Sequence, residues 1–221
     1  MNVSKIESNS IPSEIPDENL NIRIFLTVCG VISLFCLLLT FLVYAIIPGF
    51  KNLHGKIVLN NIVSITLLTV YLLIVFNTEP SYSTYFCILI GYCGYFSSIS
   101  MFSWMSIMCF DLFWTFSRSE LPSSTSDKFK FRIYWTTGWG SAALLTTTLG
   151  LFQACLPEES EFNPAIGEGR CFIDHNGKSS LYLFYIPMLI LMVFNSLTFL
   201  GIVFSFFLAK KSTKAARSST R

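Results

Sequence analysis

Charge is what this sequence lacks. Of 221 residues, 15 are Lys or Arg and 13 are Asp or Glu, so 13% are charged. Soluble domains carry about 25%, and roughly half that density cannot cover a water-facing surface. Histidine is scarcer still. His54 and His175 are the two in the chain, too few for a His-based metal site. There is no HExxH, no GxSxG, no phosphate-cradling glycine loop and no His/Cys set at ligand spacing, so no catalytic residues, no metal and no cofactor are expected. The apolar residues run on without alternating, which disfavours a β-barrel. The first twenty residues, "MNVSKIESNSIPSEIPDENL", lack the basic-then-apolar layout of a cleavable signal.

What the chain has is apolar and aromatic bulk: 52% hydrophobic, 16% aromatic, 22 Phe. No Asp, Glu, Lys or Arg occurs from Ile24 to Phe50, Ile57 to Thr78, Pro80 to Phe110, Ile133 to Pro157 or Ser179 to Ala209. Each window exceeds the roughly 20 residues a helix needs to cross hydrocarbon. The expected fold is all-α, a polytopic transmembrane bundle with helices near 22–48, 56–77, 86–116, 132–155 and 181–208. A polar N-terminal tail (1–21) would precede it, and a basic tail (209–221) would follow.

With five spans the termini lie on opposite sides, and the Lys/Arg bias orients the chain. One side holds Lys5, Arg23, Arg170 and Lys178. The other holds Lys51, Lys56, Arg118, Lys128, Lys130, Arg132 and five residues of the tail. The N-terminus is therefore expected outside and the C-terminus in the cytoplasm, with the bilayer as a partner and nucleic acid excluded. Asn2 begins a glycosylation sequon on the outer side.

Cys29, Cys36, Cys93 and Cys109 fall inside spans, where cysteine is usually a small hydrophobe. Cys87, Cys155 and Cys171 fall at the outer ends, where disulfides persist. Three cysteines allow three pairings or none. A Cys87–Cys171 bridge would pin the longest outer loop, 156–180, across the mouth of the bundle. That loop carries Glu158, Glu159, Glu161, Glu168 and Asp174, read either as a solvated acidic loop or as a lid facing a cationic ligand.

Ionisable residues within spans are costly and mark functional sites. Asp111 is the one such residue here, near the inner end of the third helix. His54 and Lys56 lie at the inner start of the second, and the three are candidates for a cytoplasmic-face switch. The alternative for Asp111 is a side chain that reaches the inner headgroups. Asn60, Asn61 and Asn195 are expected to bond across helices. Pro187 should kink the fifth span and free a carbonyl that a neighbour must satisfy. In "YWTTGWGSAALL" the glycines at 138 and 140, with Gly150 further on, are expected to let a neighbouring backbone approach closely, and Trp139 needs a partner for its indole N–H. Trp139 thus reads as a clamp between the fourth helix and the second or third.

"GWGSA" resembles the GWGxP element of the fourth helix in secretin-like (family 2, class B) G-protein-coupled receptors. "KNLHGK", "MFSWMSIMCFDLFWTF", "NPAIGEGRCFI" and "LYLFYIPMLILMVFN" are similar, in the same order, to the Methuselah-like branch. The resemblance covers residues 22–212. It implies a receptor, not an enzyme, at the plasma membrane. The implied partners are an extracellular ligand, a peptide among the candidates, and a heterotrimeric G protein. It implies the Cys87–Cys171 bridge, a polar-lock role for His54, and family positions for Trp104, Trp139 and Asn195. The sequence departs from the pattern at Met108, where secretin receptors have Glu, at Phe113, where they have His, and at Ala142 for the proline. It also supplies five spans of an expected seven, without the large outer domain, which implies a product truncated after the fifth helix. The competing reading is a non-signalling product that pairs with full-length receptors and regulates them. A small transporter or membrane enzyme fits less well, since polar groups collect at one face and not at the midplane.

Overall fold

The computed structural model describes residues 17–77, 83–117, 127–157, 159–167, 171–173 and 178–219. The Asn2 sequon, Glu158, Glu168, Asp174 and the side chains of the basic tail beyond Lys210 lie outside the described part. Five long helices form the bundle: α1 (Asp17–Ile46), α2 (Leu53–Asn77), α3 (Thr84–Ser117), α4 (Asp127–Cys155) and α5. The last is helical without a break over 178–219, with a π-helical turn, Leu181–Tyr185, near its start.

The ends follow local chemistry. α1 stops at Ile46, two residues before the expected boundary, because Pro48 forces Ile47 into extended backbone (φ −74°, ψ 119°). α4 begins at Asp127, earlier than expected, with that acid in its first turn, where the helix dipole favours a negative charge. α5 stays helical to Ser219, so the basic tail extends the helix; its Lys, Ala and Arg are good helix formers. Among the described residues four helices are long and apolar enough to cross a membrane: Leu20–Ile46, Leu53–Asn77, Thr84–Thr115 and Lys178–Phe207. The fourth helix, 29 residues long, has the length, but Thr, Gly and Trp dilute its hydropathy. Its threonines hide their hydroxyls by bonding back one turn: Thr136 to Arg132 O, Thr146 to Ala142 O, Thr147 to Ala143 O and Thr148 to Leu144 O.

α3 is the hub. α2, α4 and α5 all pack on it, while α1 leans on α2. Thr27 and Asn77 exchange hydrogen bonds across the α1–α2 seam. The core has two storeys, called outer and inner after the orientation expected from the Lys/Arg bias. In the outer one Tyr95, Ile99, Ala142 and Leu149 meet Ile166 and Ile173 from the 156–180 loop. In the inner one Ile57, Trp104 and Ile107 pack with Met108, Tyr134 and Trp139.

The outer loop is tied down. Cys87 is disulfide-bonded to Cys171. Gln153 Nε2 donates to Ile166 O (2.9 Å) and is itself held by Tyr92 OH, which donates to its Oε1 (2.9 Å). Asn163 Nδ2 donates to Leu156 O and Pro157 O. Lys178 Nζ pairs with Glu161 Oε2 at 2.6 Å; both side chains are exposed, so solvent screens the pair and it adds little to stability. One loop carboxylate is thus engaged within the loop.

Pro187 acts as its chemistry requires. It has no N–H to give the carbonyl four residues back, Leu183 O, and the Tyr95 hydroxyl donates to that oxygen at 2.6 Å. One residue earlier, Ile186 N–H reaches five residues back to Leu181 O, closing the π turn. A double-mutant cycle tests the coupling. Tyr95→Phe should cost about 1 kcal/mol in a detergent unfolding titration, and the cost should shrink in a Pro187→Ala background, where the backbone amide replaces the phenol.

Candidate functional site at the inner end of the bundle

The inner ends of α2, α3 and α4 converge on Asp111. The residue is 8% exposed, and burying a carboxylate in a span costs roughly 2.5–3.5 kcal/mol on insertion scales. Two groups offset that cost. The Tyr134 hydroxyl, on α4, donates to Asp111 Oδ1 at 3.3 Å. His54 Nδ1, at the start of α2, lies 3.6 Å from Asp111 Oδ2. That separation is an ion-pair distance when the imidazole is protonated, and too long for a hydrogen bond. His54 Nδ1 is otherwise shielded and has no hydrogen-bond partner.

His54 and Asp111 are thus brought together as expected, and Lys56 is not. Its ammonium sits over the Phe131 ring, 5.4 Å from the centroid, in cation–π contact. The reason is helical geometry. Residues two apart point to different faces, so His54 toward α3 sends Lys56 toward α4. Tyr134 was missed by the sequence reading, although it lies four residues before Gly138 and so on the same face.

One turn further into the membrane sits the tryptophan junction. Trp139 Nε1 donates to Asn60 Oδ1 at 3.0 Å, which ties α4 to α2 as the clamp reading required. The Trp139 ring stacks on Phe96 (centroids 5.9 Å, 13°) and meets Trp104 edge-on (5.9 Å, 65°). Trp104 is fully buried. Gly138 makes room for it: a Cβ there would stand 2.6 Å from Trp104 Cε2. The close neighbour is an indole and not a backbone. Gly140 does not share this role, since only Thr136 of its own helix lies within 4 Å, at 3.9 Å. At Gly201 the Phe113 ring takes the space, 2.8 Å from a Cβ position, so the phenylalanine at the departed histidine position locks α3 to α5 by packing.

Other expected glue is absent. Asn195 is buried, but neither its Oδ1 nor its Nδ2 has a hydrogen-bond partner, and the same holds for Asn61 Oδ1 and Trp104 Nε1. Among the described residues no group of three His, Cys, Asp or Glu could hold a metal ion.

The junction makes a direct prediction. Asn60→Leu leaves the Trp139 indole unpaired and should cost about 0.6–1.7 kcal/mol. Gly138→Val, which overpacks Trp104, should cost about 1–3 kcal/mol. Unfolding followed by tryptophan fluorescence would report both.

Comparison with known proteins supplies the wider setting. Residues 19–221 match the model of the 7 transmembrane receptor (Secretin family). The chain is 35% identical to G-protein coupled receptor Mth of Drosophila yakuba, over 79% of this chain and 33% of that protein. It is 33% identical to probable G-protein coupled receptor Mth-like 11 of Drosophila melanogaster, over 76% and 32% of the two chains. Against G-protein coupled receptor Mth of Drosophila melanogaster it is 33% identical over 79% and 34%. The chain spans about a third of the length of these relatives. The order of helices, the α3-to-loop disulfide and the matched residues agree: this chain belongs to the secretin family of seven-transmembrane receptors, a family of receptors and not of enzymes, on its Methuselah-like side.

Proposed function

We propose that this chain provides the first five helices of a Methuselah-like receptor that binds an extracellular ligand and couples to a heterotrimeric G protein from the plasma membrane. The observation that carries the reading is the Asp111 cluster. One buried carboxylate joins three helices at their inner ends through a long hydrogen bond from Tyr134 and a 3.6 Å contact with His54 that becomes an ion pair when the imidazole is protonated. Such a contact is a latch: stable enough to favour the closed packing, and weak enough for a ligand's differential affinity to release it. The outer loop, fixed to α3 by Cys87–Cys171, would frame the ligand's approach. The eleven basic residues on the opposite side support an outer N-terminus and a cytoplasmic basic tail.

The first test is the native transcript past the codon for Arg221. Two further hydrophobic spans are expected. In the product they encode, Asp111→Asn should raise basal G-protein signalling several-fold at unchanged surface expression. A stop codon at that point would overturn the signalling reading in favour of a product that pairs with full-length receptors, which co-purification would then detect. Orientation has its own check: protease should reach Lys210 only from the cytoplasmic side.

A further inference from the structure

α4 and α5 both pack on α3 but scarcely touch one another. Between them a groove of about 700 Å³ runs along α3. Three helical stripes form it, with Ser103 and Ser106 on α3, Thr137, Ser141 and Leu145 on α4, and Pro187 on α5. The rim residues Ile133, Ile190, Phe110 and Phe194 are exposed, so the groove opens sideways into the bilayer. Its volume lies within the roughly 300–1,000 Å³ of ordinary ligand sites.

Two features restrict the occupant. The lining contains no Lys, Arg, His, Asp or Glu, which disfavours a phosphate, ammonium or carboxylate head. The floor nonetheless carries hydroxyls. Ser103 and Ser141 bond to one another at 2.9 Å, Ser141 reaches Gly138 O, and Ser106 donates to Phe102 O. Thr137 is the exception. Every other Ser or Thr of α4 makes a hydrogen bond, whereas Thr137 lines the groove and makes none. A hydroxyl in hydrocarbon without a partner is costly, and an acyl chain cannot supply one.

We infer that this groove is a sterol site, with the sterol hydroxyl bonded to Thr137 Oγ1 and the ring system lying along α3 toward Leu145 and Pro187. A sterol is neutral, carries one hydroxyl, and is rigid, so little conformational entropy is lost when β-branched and aromatic walls confine it. The depth fits as well. Thr137 lies five residues past Arg132, about 7.5 Å along the helix axis, so the hydroxyl sits just below the headgroups at the Asp127 end of α4 while the rings point to the bilayer centre. The inference rests on membrane residence alone, so its failure would leave the receptor reading standing.

The test uses the full chain in phosphatidylcholine nanodiscs with a diazirine-bearing cholesterol as photoprobe. Saturable labelling should map to peptides of α3, α4 and α5 that line the groove. Cholesterol should compete for it, and cholestane, which lacks the hydroxyl, should not. Thr137→Val is isosteric and should weaken cholesterol competition about three- to tenfold, the worth of one hydrogen bond, at an unchanged melting temperature. Ile190→Trp, which fills the groove, should abolish labelling; Thr137→Val carries the test if that variant does not fold. Equal competition by cholestane, an unshifted Thr137→Val curve, or labelling spread over other helices would overturn the site and leave bulk lipid as the occupant.

Discussion

In hydrocarbon a polar group has no water to fall back on, and the contacts that position the helices are largely those that find such groups a partner. The consequences run from sequence to packing. Threonines of α4 turn their hydroxyls back on their own helix. The carbonyl stranded by Pro187 is met by Tyr95 from α3. The indole of Trp139 is met by Asn60 from α2. Because these partners come from different helices, the same bonds that satisfy single groups also fix how the helices sit against α3.

Small residues decide where that contact is close. Gly138 admits the Trp104 ring and Gly94 admits the Tyr71 ring, which occupies the space a Cβ would need. Gly91 lets the loop carbonyl of Cys171 within 2.8 Å of such a position on α3. Association in lipid depends on van der Waals contact more than on exclusion of water, so a missing methyl group matters more here than it would on a soluble surface.

This explains what the sequence could and could not disclose. Charge-free windows located the helices, since charge is what lipid excludes. Trp139 announced a need for an acceptor, and Pro187 announced a need for a donor. The identity of the answering residue is a property of packing. Tyr95, Tyr134 and Gln153 look in sequence like any polar or aromatic residue near a span, and their roles depend on which helix faces them. His54 and Asp111 were legible because ionisable groups in spans are few. Lys56 looked equivalent to His54, but two residues along a helix is a turn of the wrong size to share a face. The resemblance of "GWGSA" and its companion motifs to the secretin-like receptors was legible throughout, and the family match over residues 19–221 bears it out.

The two storeys differ in how firmly they are held. The outer one has a disulfide, a 2.6 Å hydrogen bond from Tyr95, and the Tyr92–Gln153–Ile166 chain at 2.9 Å per step. The inner one also has the 3.0 Å Trp139–Asn60 bond, but around Asp111 it rests on a 3.3 Å hydrogen bond and a 3.6 Å His54 contact that is an ion pair only when the imidazole is protonated. It also contains Asn61 Oδ1, Trp104 Nε1 and both side-chain heteroatoms of Asn195 buried without partners, and each such group costs on the order of 1–3 kcal/mol. Stability is therefore uneven along the membrane normal. A perturbation spread through α3 does least work by rearranging the inner ends, where few bonds must break and orphan groups stand to gain partners. A bundle built this way yields at one face first, the face that carries Asp111.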